Sequence, residues 1–400
     1  MRAIRVSLAV LATILITFVA TCRLDEQSIG DTAQNAGVLK RVDIGDGPGL
    51  QSADDRSLLI LGSGLSANPD WSIESNQEYA HLGCSVSTAG DVNGDNYDDV
   101  IVGAYYYSNG QNHEGRAYVF HGSSDGLSLD ADWIVEPNVA AVKLGFSVSS
   151  AGDVNGDGYD EVIIGAPFSS WGHEEEGRVY LYYGSAAGLS AQADWTYESD
   201  TEYAQLGNSV ACAGDVNGDG YDDLIIGARN FNNGHKGEGA AFVFFGSADG
   251  LSAAPDWMAE SNQLWASFGT SVSSAGDVNN DGYDDVIIGA DEYFSGQVDE
   301  GRAYVFHGSE FGLSTVADWV IESDQTGAHL GNSVSSAGDV NGDGFDDVII
   351  GAHRYDETRE DEGRAYVYHG SSGGLLDEPD WTAESGQYSA GLGSSVSLAG

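Results

Sequence analysis

Hydrophobic and polar residues follow one another in short runs of strand character. Across residues 144–199, Phe146-Ser147-Val148-Ser149-Ser150 alternates, and Val162-Ile163-Ile164-Gly165-Ala166 is a compact apolar block bounded by turn residues. Arg178-Val179-Tyr180-Leu181-Tyr182-Tyr183 makes a third segment, and Asp194-Trp195-Thr196-Tyr197-Glu198 a fourth. A two-residue period predicts half-buried strands, and a short continuous apolar block predicts a fully buried one. Nothing in the unit has a helical period. The unit recurs every 62 residues: Asp91, Asp153, Asp215, Asp277 and Asp339 each open a segment close to DVNGDGYDD. Trp71, Trp133, Trp195, Trp257, Trp319 and Trp381 keep the same spacing and read as core residues. Four short antiparallel strands in a fixed period describe a blade of an all-β propeller. Ala399-Gly400 matches the pair before each earlier aspartate. The array therefore reads as five complete blades plus partial ones, truncated in the last repeat.

The first 22 residues break this pattern. Arg2 and Arg5 precede an apolar run from Val6 to Ala20, which predicts a signal peptide. Val19-Ala20-Thr21-Cys22 resembles a bacterial lipoprotein signal, with Thr21 departing from the usual small residue. Lipidation of Cys22 and ordinary cleavage both remain open, and a lipid there would be the chain's contact with a membrane. Residues 23–55 lack Phe, Trp and Tyr and read as a flexible tether. Residues 56–400 hold the propeller. Leu58–Gly62 and Asp70–Glu74 match the third and fourth strands of a blade, which suggests that strands from both chain ends close the ring. Cys84 and Cys212 lie at unlike repeat positions and read as two small half-buried residues rather than a disulfide.

The nine-residue segments carry candidate metal chemistry. The first, third and fifth positions offer side-chain oxygens: Asp91, Asn93 and Asp95; Asp153, Asn155 and Asp157; Asp215, Asn217 and Asp219; Asp277, Asn279 and Asp281; Asp339, Asn341 and Asp343. The seventh position would bind through its carbonyl and is Tyr97, Tyr159, Tyr221, Tyr283 or Phe345. The ninth is Asp99, Glu161, Asp223, Asp285 or Asp347. Hard oxygen ligands at alternating positions suit Ca²⁺, one per repeat and five in all, in a structural role. The first nine positions resemble an EF-hand, but Val102, Ile164 and their equivalents replace the glutamate at the twelfth, which excludes that reading.

Together these residues resemble the FG-GAP repeat of integrin α-subunit propellers. Phe268-Gly269 supplies the Phe-Gly element, with Leu-Gly at 82, 144, 206, 330 and 392. Gly165-Ala166-Pro167 is a complete Gly-Ala-Pro, and Tyr105, Arg229, Asp291 or His353 replaces the proline elsewhere. The resemblance implies a propeller, seven-bladed when complete, and a ligand face opposite the metal loops.

Charge and residue choice narrow the function. The net charge of −48 argues against nucleic-acid binding, because a phosphate backbone would be repelled. No nucleophile motif, zinc signature or phosphate loop is present. Neither His121, His307 and His369 nor His113, His173 and His235 assembles a catalytic set, since repeat-equivalent residues belong to different blades. Meander connections alternate between faces. The stretches after each Gly-Ala therefore share a face with the links between blades. That face carries Tyr105, Tyr106, Tyr107, Phe168, Trp171, Phe231, Tyr293, Phe294 and Tyr355, with Tyr79, Tyr203, Trp265 and Tyr388 in the links. Variable loops on a rigid scaffold favour binding. The expected function is a secreted or surface-anchored, calcium-binding, non-enzymatic adhesion module for an extracellular protein or glycan ligand. The alternative is a non-catalytic accessory of a secreted hydrolase whose catalytic domain lies beyond residue 400, as in glycosylphosphatidylinositol-specific phospholipase D.

Overall fold

A computed structural model describes residue 69 and residues 71–398. The signal segment, the tether and the strand expected at Leu58–Gly62 lie outside the described residues. Five four-stranded antiparallel sheets follow one another along the chain, each an up-and-down meander. In blade 1 the strands are β1 (Leu82–Gly90), β2 (Asp99–Ala104), β3 (Arg116–Phe120) and β4 (Trp133–Val135). Blades 2 to 5 repeat this order from Ser147, Leu206, Phe268 and Leu330. The first strands of successive blades pack against one another, which makes them the inner strands. The second strand of each blade is Val/Ile-rich and buried along almost its whole length, as the apolar blocks predict.

The blades are joined by contacts that no single blade can make alone. The Gly-Ala glycine of one blade lies against the Phe-Gly or Leu-Gly glycine of the next. A Cβ on Gly103 would come within 2.1 Å of the Gly145 carbonyl oxygen, and one on Gly227 within 2.1 Å of that of Gly269. Gly145 also has φ +83°, a conformation that side chains disfavour. These glycines meet backbone to backbone across the seam. All five blades keep the same four-stranded meander, although only one of them carries the proline.

The repeated tryptophans belong to the same seam. Trp195 Nε1 donates to the Ser252 carbonyl of the following blade at 3.0 Å, and its ring meets Phe244 edge-on at 4.9 Å. Trp71, Trp133, Trp257 and Trp319 repeat both contacts. Trp319 is 7% exposed, whereas Trp381 is 53% exposed. Trp71, Trp133, Trp195, Trp257 and Trp319 are thus hydrogen-bonded staples between blades as well as core residues, whereas Trp381, at the end of the last described blade, is not a core residue. Trp71–Glu74 forms no strand, although Trp71 occupies a staple's place. Serines add a second stitch on the inner strands: the Val210 amide donates to Ser147 Oγ and that of Val272 to Ser209 Oγ. Cys212 is a free thiol, so it forms no bridge with Cys84.

Replacing Trp257 by Phe removes the indole donor and keeps most of the ring. Stability should fall by about 1 kcal/mol, and Trp257→Ala should cost about 3–5 kcal/mol. Denaturant midpoints check both values, and equal effects would contradict the staple.

Candidate metal loops and the opposite face

Each nine-residue segment is the tight loop between the first and second strands of a blade. In blade 1, Asp91 Oδ1 accepts the amides of Gly94 and Asp95 at 2.8 and 3.0 Å, and Oδ2 accepts that of Asn96 at 2.7 Å. Asn93 Oδ1 accepts the Asp95 amide, and Asp95 Oδ1 that of Tyr97. These bonds recur around Asp153, Asn155 and Asp157, around Asp215, Asn217 and Asp219, and around Asp339, Asn341 and Asp343. In blade 4, Asp277 accepts the amides of Asp281 and Gly282 and Asp281 that of Tyr283, while the Asn279 oxygen has no hydrogen-bond partner. Asn96 holds the sixth position at φ 69°, as the turn requires.

The ninth residue closes the loop from inside. Asp99, Glu161, Asp223, Asp285 and Asp347 are all 0% exposed at the start of the second strand. Asp223 accepts the Val216 amide at 3.0 Å and the Gly246 amide at 2.9 Å, joining its loop to the turn after the third strand. Glu161, longer by one methylene, accepts the Val154 amide and the Asn155 side-chain amide. Burial pushes the Asp223 and Asp285 carboxyls up to about 8, against the lowering effect of the amides, and the charges of the first and fifth residues push the same way. Glu161 is raised to about 8 and Asp99 to about 6, again chiefly by burial. By contrast the amide of Gly344, with those of Asp343 and Gly342, holds the Asp339 carboxyl below its usual range.

This donor set fits a hard divalent cation. It combines carboxylates at the first, fifth and ninth positions, an amide oxygen at the third, and negative charge that the buried ninth residue cannot pass to solvent. The loop carboxylates are not drawn tightly together. Among the described residues, the set of three whose oxygens lie within 4.8 Å of one another is Glu300, Glu322 and Asp324, on the opposite face. There Glu322 is already paired with Arg302.

Two repeated acids of these faces escaped the sequence reading. The eighth loop residue, Asp160, Asp222, Asp284 or Asp346, accepts the backbone amide of the first loop residue of the preceding blade. On the other face, Glu114, Glu176, Glu238, Glu300 and Glu362 are buried and accept backbone amides of their own variable loops. Their carbonyls accept the amide that opens the next blade, as from Leu206 to Glu176 at 3.1 Å. Their 62-residue period was the available signal, hidden inside stretches that otherwise vary.

The aromatic residues of that face fall into two groups. Tyr107, Tyr293 and Tyr355 lie under the guanidinium groups of Arg116, Arg302 and Arg364 at 3.8, 3.8 and 4.0 Å. Those arginines also pair with Glu136, Glu322 and Glu384. Phe231 packs on Phe242, and Tyr105 on Phe146. These rings anchor loops. Tyr79, Trp171, Tyr203, Trp265, Phe294 and Tyr388 are the exposed group. The repeat-equivalent histidines form no common site: His113 rests against Tyr106, His235 lies 3.4 Å from Glu238, and His121, His307 and His369 each face an aspartate of their own blade; elsewhere His329 lies against His353 at 5.4 Å and 3.5 Å from Asp291.

With this geometry in place, the comparisons are specific. The FG-GAP repeat model matches residues 85–120, 144–182, 207–244, 268–306 and 330–368. Integrin alpha pat-2 of Caenorhabditis elegans is 33% identical over 227 residues, covering 52% of this chain and 18% of its own. Human integrin alpha-IIb is 31% identical over 243 residues, 59% of this chain and 22% of its own. Phosphatidylinositol-glycan-specific phospholipase D of Bos taurus is 34% identical over 220 residues, 50% of this chain and 26% of its own. The chain spans about a fifth of the length of the integrin relatives it matches.

A carboxyl whose pKa is higher folded than unfolded keeps its proton longer in the native state, so stability falls as pH rises between the two values. For Asp223 and Asp285 that window runs from about 3.9 to about 8. In chelator the protein should be about 1 kcal/mol or more less stable at pH 8 than at pH 5, and calcium should remove the difference. Denaturant melts at both pH values check this, and equal stability in chelator would contradict it.

Proposed function

The chain is an FG-GAP repeat protein similar over five repeats to the integrin α propeller, and from that footing we propose that it is a calcium-stabilised extracellular recognition module. One cation sits in each of the five loops, held by the side chains at the first, third, fifth and ninth positions and the carbonyl at the seventh. Calcium supplies the positive charge that a buried ninth carboxylate lacks. This chain's own residues do the rest: the first aspartate caps the turn, and the ninth ties it to the neighbouring hairpin.

The observation that carries the reading is the division of labour between the two faces. The loop face is nearly invariant in residue type, whereas the opposite face varies on a fixed frame of buried glutamates. Trp171, Tyr203, Trp265 and Phe294 stand partly exposed there beside acids such as Glu174, Glu202 and Glu292, with Arg178 over Trp171 and Lys236 over Trp265. Aromatic surface among carboxylates suits a glycan or a cationic protein segment, and it opposes nucleic acid. Secretion agrees with the leader-like first 22 residues. Among the described residues no helix is long and apolar enough to cross a membrane. Cys22 lies outside the described residues, and the relatives named above, animal proteins, lend no support to a bacterial lipid anchor.

A second reading has one observation in its favour, the similarity to a phospholipase D. In that case the repeats accompany a hydrolase and carry no catalysis themselves. Hydrolysis of a phosphatidylinositol-glycan by the 400-residue chain would overturn the non-enzymatic reading.

Calcium at about 100 times its Kd adds about 2.7 kcal/mol for each independent site. Chelation should therefore lower the melting temperature by several degrees, and calcium should restore it more fully than magnesium. An unchanged melt with no bound calcium would remove the metal claim.

A further inference from the structure

The metal loops are not separate along the array, because each is gripped by the loop of the next blade. The Asp153 amide donates to Asp222 Oδ2 at 2.8 Å, and the Asp222 amide donates back to the Asp153 carbonyl at 3.3 Å. The same reciprocal pair joins Asp91 to Asp160, Asp215 to Asp284, and Asp277 to Asp346. The seam around each pair admits only glycine. A Cβ on Gly152 would stand 2.2 Å from the Asp222 carboxylate, with 2.2 Å for Gly90 against Asp160 and 2.2 Å for Gly214 against Asp284. The seventh residue reaches back as well: a Cβ on Gly156 would stand 2.6 Å from the Tyr221 ring, and one on Gly218 2.6 Å from that of Tyr283.

We propose that the eighth-position aspartates Asp160, Asp222, Asp284 and Asp346 couple cation binding between neighbouring blades, so that the loops fill cooperatively. The proposal rests on the calcium reading above. Asp222 lies between Tyr221 and Asp223, two ligand positions of loop 3, and it holds the backbone of Asp153, a ligand of loop 2. A cation in loop 3 fixes the segment 221–223. That fixed segment holds Asp153 in place, so loop 2 orders less on binding its own ion. The eighth aspartate is a positioning residue and touches no cation. A clamp that served only stability would join the blades equally with or without calcium and would leave the sites independent.

Calcium titration of the full chain, by calorimetry or flow dialysis, separates these cases. The expected wild-type isotherm has a Hill slope above 1. Asp222→Ala should bind the same number of ions with a slope nearer 1, and with affinity at one site lower by about 5-fold or more. Because that variant could fail to fold, Asp219→Ala, at an exposed ligand position of loop 3, supplies an independent test. Coupled loops lose one ion and bind the remaining ions more weakly, whereas independent loops lose one ion with no other change. A wild-type slope of 1, or unchanged slope and affinity in Asp222→Ala, overturns the coupling while leaving calcium binding in place. A wild-type chain that binds no calcium overturns the metal reading itself.

Discussion

A fully buried carboxylate at the end of every loop is the constraint on which the rest of this structure depends. Asp99, Glu161, Asp223, Asp285 and Asp347 have no exposed surface, yet each lies in a turn that carries three further aspartates. Burying such a charge is unfavourable unless it is hydrogen-bonded and compensated. Backbone amides supply the first requirement, from the loop and from the turn after the third strand. The second calls for positive charge, and a chain with 15 basic residues against 63 acidic ones has little to spare. The cations of the opposite face are already engaged by glutamates and aromatic rings. The divalent ion proposed for each loop would resolve the conflict, at the point where the first two strands of a blade are joined.

The same loops stand at the seams between blades, which links local charge to global shape. A four-stranded blade cannot bury both of its faces alone. Stability in such arrays resides partly in the interfaces between neighbours. Here the interface is built from paired glycines, indole donors, serine hydroxyls and the eighth aspartates, all in the 62-residue register. Holding one end of the array rigidly frees the other end to vary. The buried glutamates carry that rigidity across, since each braces a variable loop with its carboxylate and the next blade with its carbonyl.

Much of this was legible in the sequence. Strand periodicity placed the four strands of the second blade to within two residues at every end, because burial on a pleated sheet imposes its own period. The position of the loops was legible because oxygen-bearing residues recur at alternating positions of a short turn, the pattern on which the calcium proposal rests. The reading missed contacts that span blades. Trp195 looks like any core tryptophan until its indole is seen to reach residue 252. Asp222 and Glu176 look like two more acids in a strongly acidic chain, and only their fixed period sets them apart. The aromatic stretch after each Gly-Ala could not be divided into anchors and exposed rings, because the division depends on Arg116, Arg302 and Arg364 approaching from the third strand. In the third blade that arginine is Ala240, and Phe231 turns into the core instead.

The most direct test of the account is a long-wavelength anomalous difference map from crystals grown in calcium. The account predicts five peaks, one inside each loop, ringed by the oxygens of residues such as Asp215, Asn217, Asp219 and Asp223. Loops without peaks, or calcium gathered instead at Glu300, Glu322 and Asp324, would contradict it.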